Sequence, residues 1–134
     1  KIACPDKPVL ALIGDGGFQM NIQELMTIVQ EQTDIKIVVF NNGYLGMVRQ
    51  WQELFFEKRY SSTQILNPDF VKVVDAMGLP SRRITRPEEM NDAIDWLVDS
   101  PGTRFLEVVT DPEENVFPMV PPGVATADIW LEKK

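Results

Sequence analysis

The stretch Val9-Leu10-Ala11-Leu12-Ile13-Gly14-Asp15-Gly16-Gly17-Phe18, followed by Asn21 to Gln32 and then by Ile35-Lys36-Ile37-Val38-Val39-Phe40-Asn41-Asn42-Gly43, decides the fold. Val9 to Ile13 is an unbroken apolar run ended by glycine, the composition of a strand buried on both faces of a parallel sheet. Ile22, Leu25, Met26 and Val29 then recur at helical spacing, and Asn21 with Glu24 stands like a capping box, which predicts an amphipathic helix reaching Gln32. Ile35 to Phe40 is a second β-rich run. Strand, helix and strand in this order predict a right-handed βαβ unit with its two strands parallel.

Outward from this unit the alternation continues. Leu45 to Lys58 has helical composition with exposed-looking aromatics, Trp51, Phe55 and Phe56. Asn67 is placed as an N-cap, with Pro68 at the first helical position, Phe70, Val73, Val74 and Met77 on one face, and Gly78 as the stop. Arg82 to Thr85 reads as a short strand, Pro87 opens a helix carrying Met90, Ala93, Ile94, Leu97 and Val98, and Arg104 to Thr110 is a last strand. The order βαβ(α)αβαβ predicts the α/β class, in three layers, with a mainly parallel sheet and helices on both faces. No repeat or linker divides the chain, so 1–134 reads as one domain, an α/β core over 1–110 and a tail over 111–134. Pro112, Pro118, Pro121 and Pro122 exclude helix and central strand there, so the tail is expected to run extended over the surface and to be mobile. The chain opens on Lys1 and enters a strand almost at once, which points to a piece of a longer polypeptide and an incomplete sheet.

Composition narrows the function. The chain has 134 residues, 44% of them hydrophobic and 25% charged, as in ordinary globular domains. Thirteen Lys and Arg against twenty Asp and Glu leave a net charge of −7, a field that repels nucleic acid and anionic membranes. The apolar runs fall far short of the roughly 20 residues that span a bilayer, and the start carries no signal-peptide pattern. No histidine is present, which removes a histidine base, a histidine-activated nucleophile and a histidine-ligated zinc from this chain. A single cysteine, Cys4, makes neither an intrachain disulfide nor a thiolate metal centre and reads as a free thiol, as in a reducing compartment.

In an open parallel sheet, ligands bind beyond the carboxyl ends of the strands. Gly14-Asp15-Gly16-Gly17-Phe18 and Asn41-Asn42-Gly43 both belong at that edge, because Asp15 and Asn42 lie 42 − 15 = 27 positions apart, one helix plus one strand. The glycines offer close backbone approach and positive φ, and the helix that follows offers unpaired N–H groups to a phosphate. One carboxylate and one amide oxygen are few, hard ligands, suited to Mg²⁺ shared with a diphosphate. A divalent cation would also let an acidic chain without a Walker-type lysine hold such a group. Taken singly, each motif is more simply a structural turn. Their pairing on one βαβ unit carries the argument.

A Gly-Asp-Gly followed one helix and one strand later by Asn-Asn resembles the motif of thiamin diphosphate enzymes. The resemblance implies that Asp15 and Asn42 ligate Mg²⁺ by side chain and Tyr44 by its main-chain carbonyl, with two diphosphate oxygens and a water completing the octahedron. It further implies that Gly14, the N–H groups of Gly16, Gly17 and Phe18, and Leu45, Gly46 and Met47 line the cofactor. Gly17 departs from the pattern, since many relatives carry a hydroxyl-bearing residue there.

Within that superfamily, Gly14 to Leu25, Asn41 to Gln52, Phe55, Arg59-Tyr60-Ser61, Asn67-Pro68-Asp69-Phe70 and Phe117 to Gly123 resemble the C-terminal part of acetolactate synthase catalytic subunits. That likeness implies that Met47 lies by the reacting carbon, Trp51 lines the pocket of the second 2-oxo acid, and the proline-rich segment covers the site. It implies a transferase of branched-chain amino-acid biosynthesis that condenses pyruvate with pyruvate or 2-oxobutyrate. The full-length parent would be a homodimer or homotetramer, open to a regulatory small subunit and to FAD that this segment does not bind, in the bacterial cytoplasm, a plastid or a mitochondrion. No catalytic residue is expected in this chain, because the family's activating glutamate lies in an N-terminal domain of the neighbouring subunit. The segment alone is therefore expected to be silent.

Plainer readings stand beside these. Met47 and Trp51, four apart on a helix, also suit a core or an interface. Asp111, Glu113 and Glu114 read as a solvated loop, and Arg82, Arg83 and Arg86 as a surface cluster. The alternatives for function are another thiamin diphosphate-dependent carboligase, oxidase or decarboxylase, or a non-catalytic phosphoreceiver or interaction module. A phosphoreceiver needs clustered acids after the first strand, where Asp15 stands alone.

Overall fold

The computed structural model describes residues 1–132. Four strands, β1 (Leu10–Gly14), β2 (Lys36–Asn41), β3 (Ser81–Ile84) and β4 (Arg104–Val109), form one sheet in the order β1-β2-β4-β3, every pair parallel. Helices α1 (Asp15–Gln19) and α2 (Glu24–Gln30) connect β1 to β2, α3 (Gly46–Phe55) and α4 (Phe70–Ala76) connect β2 to β3, and α5 (Met90–Asp99) connects β3 to β4.

Strand alternation sorts the core into two halves. Ile37, Val39 and Phe105 point to one face, where Phe18 of α1, Leu25 of α2, and Phe70 and Val74 of α4 cover them. Val38, Leu106, Val108 and Ile84 point to the other, under Ala93 and Leu97 of α5. The three-layer α/β architecture expected from the pattern is the one observed.

Several local expectations need correction. β1 is not buried on both faces, since Leu10 and Leu12 are 54% and 61% exposed. α5 packs over β3, β4 and Val38 of β2 and leaves Leu10 and Leu12 of the edge strand β1 exposed. The helix expected from Asn21 to Gln32 is shortened to α2, Glu24–Gln30, and the glycine-rich stretch before it forms a further short helix, α1; in the turn between them Asn21 N–H bonds the Phe18 carbonyl and Glu24 N–H the Asn21 carbonyl. No capping box forms there, because the Glu24 carboxylate takes the Thr27 hydroxyl at 3.0 Å. α3 stops at Phe55, and Glu57 and Lys58 have left-handed φ of 54° and 59°.

The tail is held rather than loose. α3 buries polar side chains, Arg49, Gln50 and Glu53, and turns them on the tail. The Gln50 amide mimics a strand partner, donating to the Val116 carbonyl at 3.0 Å and accepting from the Val116 N–H at 2.8 Å. Arg49 donates to the Pro112 carbonyl at 2.8 Å and pairs with Glu113, so Glu113 is not merely a solvated acid. Asn115 donates to Glu53 at 3.2 Å, and Met119 and Trp130 form an antiparallel bridge. Lys133 and Lys134, the end of the tail expected to be mobile, lie outside the described residues.

Phe105 is fully buried against Phe18, so Phe105→Ala is expected to lower the unfolding free energy of this chain by about 3–5 kcal/mol. Leu12→Ala on the open face should cost about 0.5 kcal/mol or less, the two compared by urea denaturation. Gln50→Leu leaves the Val116 N–H and carbonyl without their side-chain partner, which is expected to cost about 1–3 kcal/mol and to speed amide exchange at Val116.

Candidate functional site

Gly14 of β1 pairs with Phe40 of β2, so the chain leaving β1 at Asp15 and the chain leaving β2 at Asn41 and Asn42 emerge side by side at the carboxyl edge of the sheet. Asp15 is 2% exposed, and among the described residues its carboxylate has no ion-pair partner. Three hydrogen bonds hold it: Gly16 N–H to Oδ1 at 3.0 Å, and Gly43 N–H at 2.9 Å and Asn67 Nδ2 at 2.7 Å to Oδ2. An ionised carboxylate has about four acceptor positions, so one remains, on Oδ1. A buried anion without a counter-charge is costly, and an acceptor position left beside it suits a cation.

Two further oxygens belong to the next turn. Asn42 Oδ1 accepts the Tyr44 N–H at 3.0 Å, an Asx-type turn that leaves this amide oxygen a second lone pair. Tyr44 bridges Gln64 antiparallel through Leu45 N–H to Thr63 O and Ile65 N–H to Gly43 O, bonds that leave the Tyr44 carbonyl unused. Carboxylate, amide and main-chain oxygens are hard donors, the set that fits Mg²⁺. Among the described residues, no three His, Cys, Asp or Glu side chains gather as a metal site. A cation here therefore depends on neutral oxygens and on oxygens from its ligand.

The glycines serve by size more than by conformation. Gly14 is extended at φ −77°, and Gly16 and Gly17 lie inside α1, so the positive φ expected of them is absent and falls instead at Gly43, with φ +71°. A Cβ on Gly16 would sit 2.9 Å from Leu45 Cδ2, and one on Gly46 would sit 3.0 Å from Asn42 Nδ2. Gly17 has ordinary room for a side chain, its Cβ meeting only Ile13 at 3.5 Å. The Gly16 N–H already donates to Asp15, which leaves Gly17 and Phe18 in the first turn of α1. The Phe18 ring is core, 5.2 Å from both Phe70 and Phe105.

α3 begins two residues after Tyr44 and is amphipathic in the inverse sense. Arg49, Gln50 and Glu53 are buried, while Met47 and Trp51 are 55% and 39% exposed, with Leu45 exposed just before them. The core reading of Met47 and Trp51 is thereby removed. They form an apolar surface, with Trp51 edge-on to Phe55 at 5.3 Å.

Sequence reasoning missed four members of the site. Asn67 is not an N-cap: that position belongs to Asp69, with no side-chain cap bond, and the Asn67 amide reaches Asp15 and, at 2.8 Å, Asn41 Oδ1. Gln19 donates to Asn67 Oδ1, and Asn41 Nδ2 donates to Glu107 Oε1 at 2.7 Å. Glu107, 1% exposed, also accepts from Arg83 Nε at 2.6 Å. One signal was visible, a charged residue inside the apolar run Phe105-Leu106-Glu107-Val108-Val109.

The three arginines expected as one surface cluster have separate partners. Arg82 lies over the Trp96 ring at 4.4 Å, Arg86 pairs with Glu89 at 2.9 Å, and Arg83 joins Glu107 to Asp69. The Glu107 carboxylate, followed by burial acting the other way and by Asp69, raises the Arg83 guanidinium above its ordinary value. The bond from Lys72, then that from Arg83, holds the Asp69 carboxyl below its ordinary value.

Against known proteins, the model of the family described as thiamine pyrophosphate enzyme, C-terminal TPP binding domain, matches residues 1–108. The chain belongs to this family of thiamine pyrophosphate enzymes. It is 45% identical over 134 residues to the acetolactate synthase isozyme 2 large subunit of Escherichia coli K12, covering 99% of this chain and 24% of that protein. It is also 45% identical over 123 residues to the mitochondrial acetolactate synthase catalytic subunit of Aspergillus candidus, covering 92% of this chain and 18% of the relative. The chain thus spans about a quarter or less of the length of these relatives. Among solved structures, benzoylformate decarboxylase from Polynucleobacter necessarius superposes with a TM-score of 0.75 at 28% identity, covering 87% of this chain and 22% of that one. Among the described residues, no helix is long and apolar enough to cross a membrane.

A carboxyl whose folded pKa is depressed adds stability above its unfolded pKa and loses it as pH falls through the folded one. The Asp69 contribution is therefore present at neutral pH and lost below about pH 4, so Asp69→Asn is expected to flatten the acid limb of the stability profile and leave the region above pH 7 parallel to wild type, as read by thermal melts across pH.

Proposed function

We propose that this chain is the diphosphate- and Mg²⁺-binding part of an acetolactate synthase catalytic subunit, with the core over 1–110 and the tail over 111–134 forming one domain. The observation that carries the reading is the buried Asp15 carboxylate, without an ion-pair partner among the described residues and with an acceptor position left on Oδ1, beside the turn that bears Asn42 and Tyr44. Asp15, Asn42 and the Tyr44 carbonyl hold Mg²⁺, and the Gly17 and Phe18 N–H groups approach the diphosphate beside Gly14. When bound, thiamin diphosphate supplies the electron sink for decarboxylating a 2-oxo acid and joining it to a second carbonyl compound.

This chain's own residues orient and shield. The apolar surface of Leu45, Met47 and Trp51 excludes water from the reacting end and receives the side chain of the second 2-oxo acid, pyruvate or 2-oxobutyrate. By the likeness to acetolactate synthase catalytic subunits, proton transfer to the cofactor falls to a glutamate of another domain, contributed by a neighbouring subunit in a homodimer or homotetramer. A regulatory small subunit and FAD, where the full-length protein has them, lie outside this segment. The bacterial, mitochondrial and chloroplastic relatives support placement in the bacterial cytoplasm or in an organelle. A second reading, another thiamin diphosphate-dependent 2-oxo acid enzyme, is favoured by the likeness to benzoylformate decarboxylase.

In the full-length protein, Asp15→Ala is expected to abolish Mg²⁺-dependent binding of thiamin diphosphate measured by calorimetry, and unchanged binding would remove the site. Supplied with pyruvate, the wild-type protein is expected to release acetolactate, whereas acetaldehyde or acetyl phosphate as the product would favour the second reading.

A further inference from the structure

Asp15 does not stand alone on its edge of the sheet. It ends a relay of side chains that begins on the far side of β4 with Arg83 and Glu107 and passes through Asn41 and Asn67. We propose that Asn67 is the positioning residue for the Asp15 carboxylate and that Glu107, through Asn41, fixes which way the Asn67 amide faces. The proposal rests on the reading of Asp15 as a Mg²⁺ ligand.

The polarity of each group follows from the one before it. Glu107 is buried against the Arg83 guanidinium and is acceptor-only when ionised, so Asn41 presents its Nδ2 to it. Asn41 Oδ1 then faces the opposite way and receives the Gly43 N–H at 3.1 Å and Asn67 Nδ2 at 2.8 Å. The two hydrogens of Asn67 Nδ2 are divided between Asn41 Oδ1 and Asp15 Oδ2, and Asn67 Oδ1 accepts from Gln19. Reversing any one amide would set donor against donor or acceptor against acceptor, so the relay has a single orientation.

The consequence falls on Asp15. With Gly43 and Asn67 both donating to Oδ2, that oxygen is filled, and the one acceptor position left lies on Oδ1. Without Asn67, Oδ2 would keep a single donor, and the carboxylate could turn about its last bond and offer either oxygen. Asn67 reaches across 52 positions from the loop before α4 and makes no cap bond there, so its amide acts on the site and not on the helix. Partners that orient a metal ligand commonly change metal affinity about 10–100-fold when removed.

The test uses the full-length protein stripped of metal, with Mg²⁺ titrated calorimetrically at saturating thiamin diphosphate. Asn67→Ala is expected to weaken Mg²⁺ binding about 10–100-fold while the melting temperature of the metal-free protein stays within a degree or two of wild type. Asn67→Gln, which keeps the amide one methylene further out, is expected to fall between wild type and Asn67→Ala. Wild-type affinity in Asn67→Ala alongside lost binding in Asp15→Ala would overturn the role of Asn67 alone, as would an Asn67→Gln protein no better than Asn67→Ala. Wild-type affinity in Asp15→Ala would overturn the metal reading itself. If Asn67→Ala does not fold, Asn67→Ser, with one donor, replaces it: a smaller loss supports the proposal, and no loss overturns it.

Discussion

A carboxylate buried without an ion-pair partner among the described residues is the constraint around which this domain is arranged. Asp15 sits where β1 ends, and its three donors come from its own helix, from the turn after β2 and from the loop before α4. Three separate parts of the chain converge on one anion, so the carboxyl edge of the sheet is tied together by the group that leaves a charge unbalanced. Desolvating an ion costs several kcal/mol, and hydrogen bonds from neutral groups offset only part of that. The imbalance is a standing preference for a cation, built into the same contacts that close the fold.

The tail and α3 solve a second problem jointly. A segment with prolines at 112, 118, 121 and 122 lacks the N–H groups for a full ladder and cannot extend the sheet. Arg49, Gln50 and Glu53 supply side-chain donors and acceptors in place of a neighbouring strand, and that role is why the buried face of α3 is polar. The same assignment turns Met47, Val48 and Trp51 outward. An apolar helix face with no core to enter is thus the reverse side of the tail's anchorage, and it begins next to the candidate metal turn.

What could be read from the residues divides by how far apart the partners lie. The α/β class was legible because β2 and β4 bury consecutive residues and α4 and α5 bury residues at helical spacing, Phe70 with Val74 and Ala93 with Leu97. β1 was misread because an apolar run looks the same whether one or both of its faces are covered, and only its edge position decides. Asp15 and Asn42 were legible because parallel register alone carries both to one edge. Asn67 was not, since a short polar residue before proline has the pattern of a cap, and its actual partners lie 52 and 26 positions away. Glu107 was visible as an anomaly in β4, but its partner Asn41, 66 positions distant, was not.

On the proposed reading, the sparse donor set also dictates how cofactor and metal depend on each other. One carboxylate and two neutral oxygens neutralise only half the charge of Mg²⁺, and the rest must come from the diphosphate. The diphosphate in turn meets a chain of net charge −7, and the cation compensates its charge at this edge. Each ligand therefore supplies the charge that the other lacks, and by linkage the factor by which Mg²⁺ tightens the diphosphate equals the factor by which the diphosphate tightens Mg²⁺. A site with two or three acidic ligands would hold the metal alone and repel the diphosphate more strongly. A single buried carboxylate, fixed by Gly16, Gly43 and Asn67, makes the metal conditional on the molecule it is there to hold.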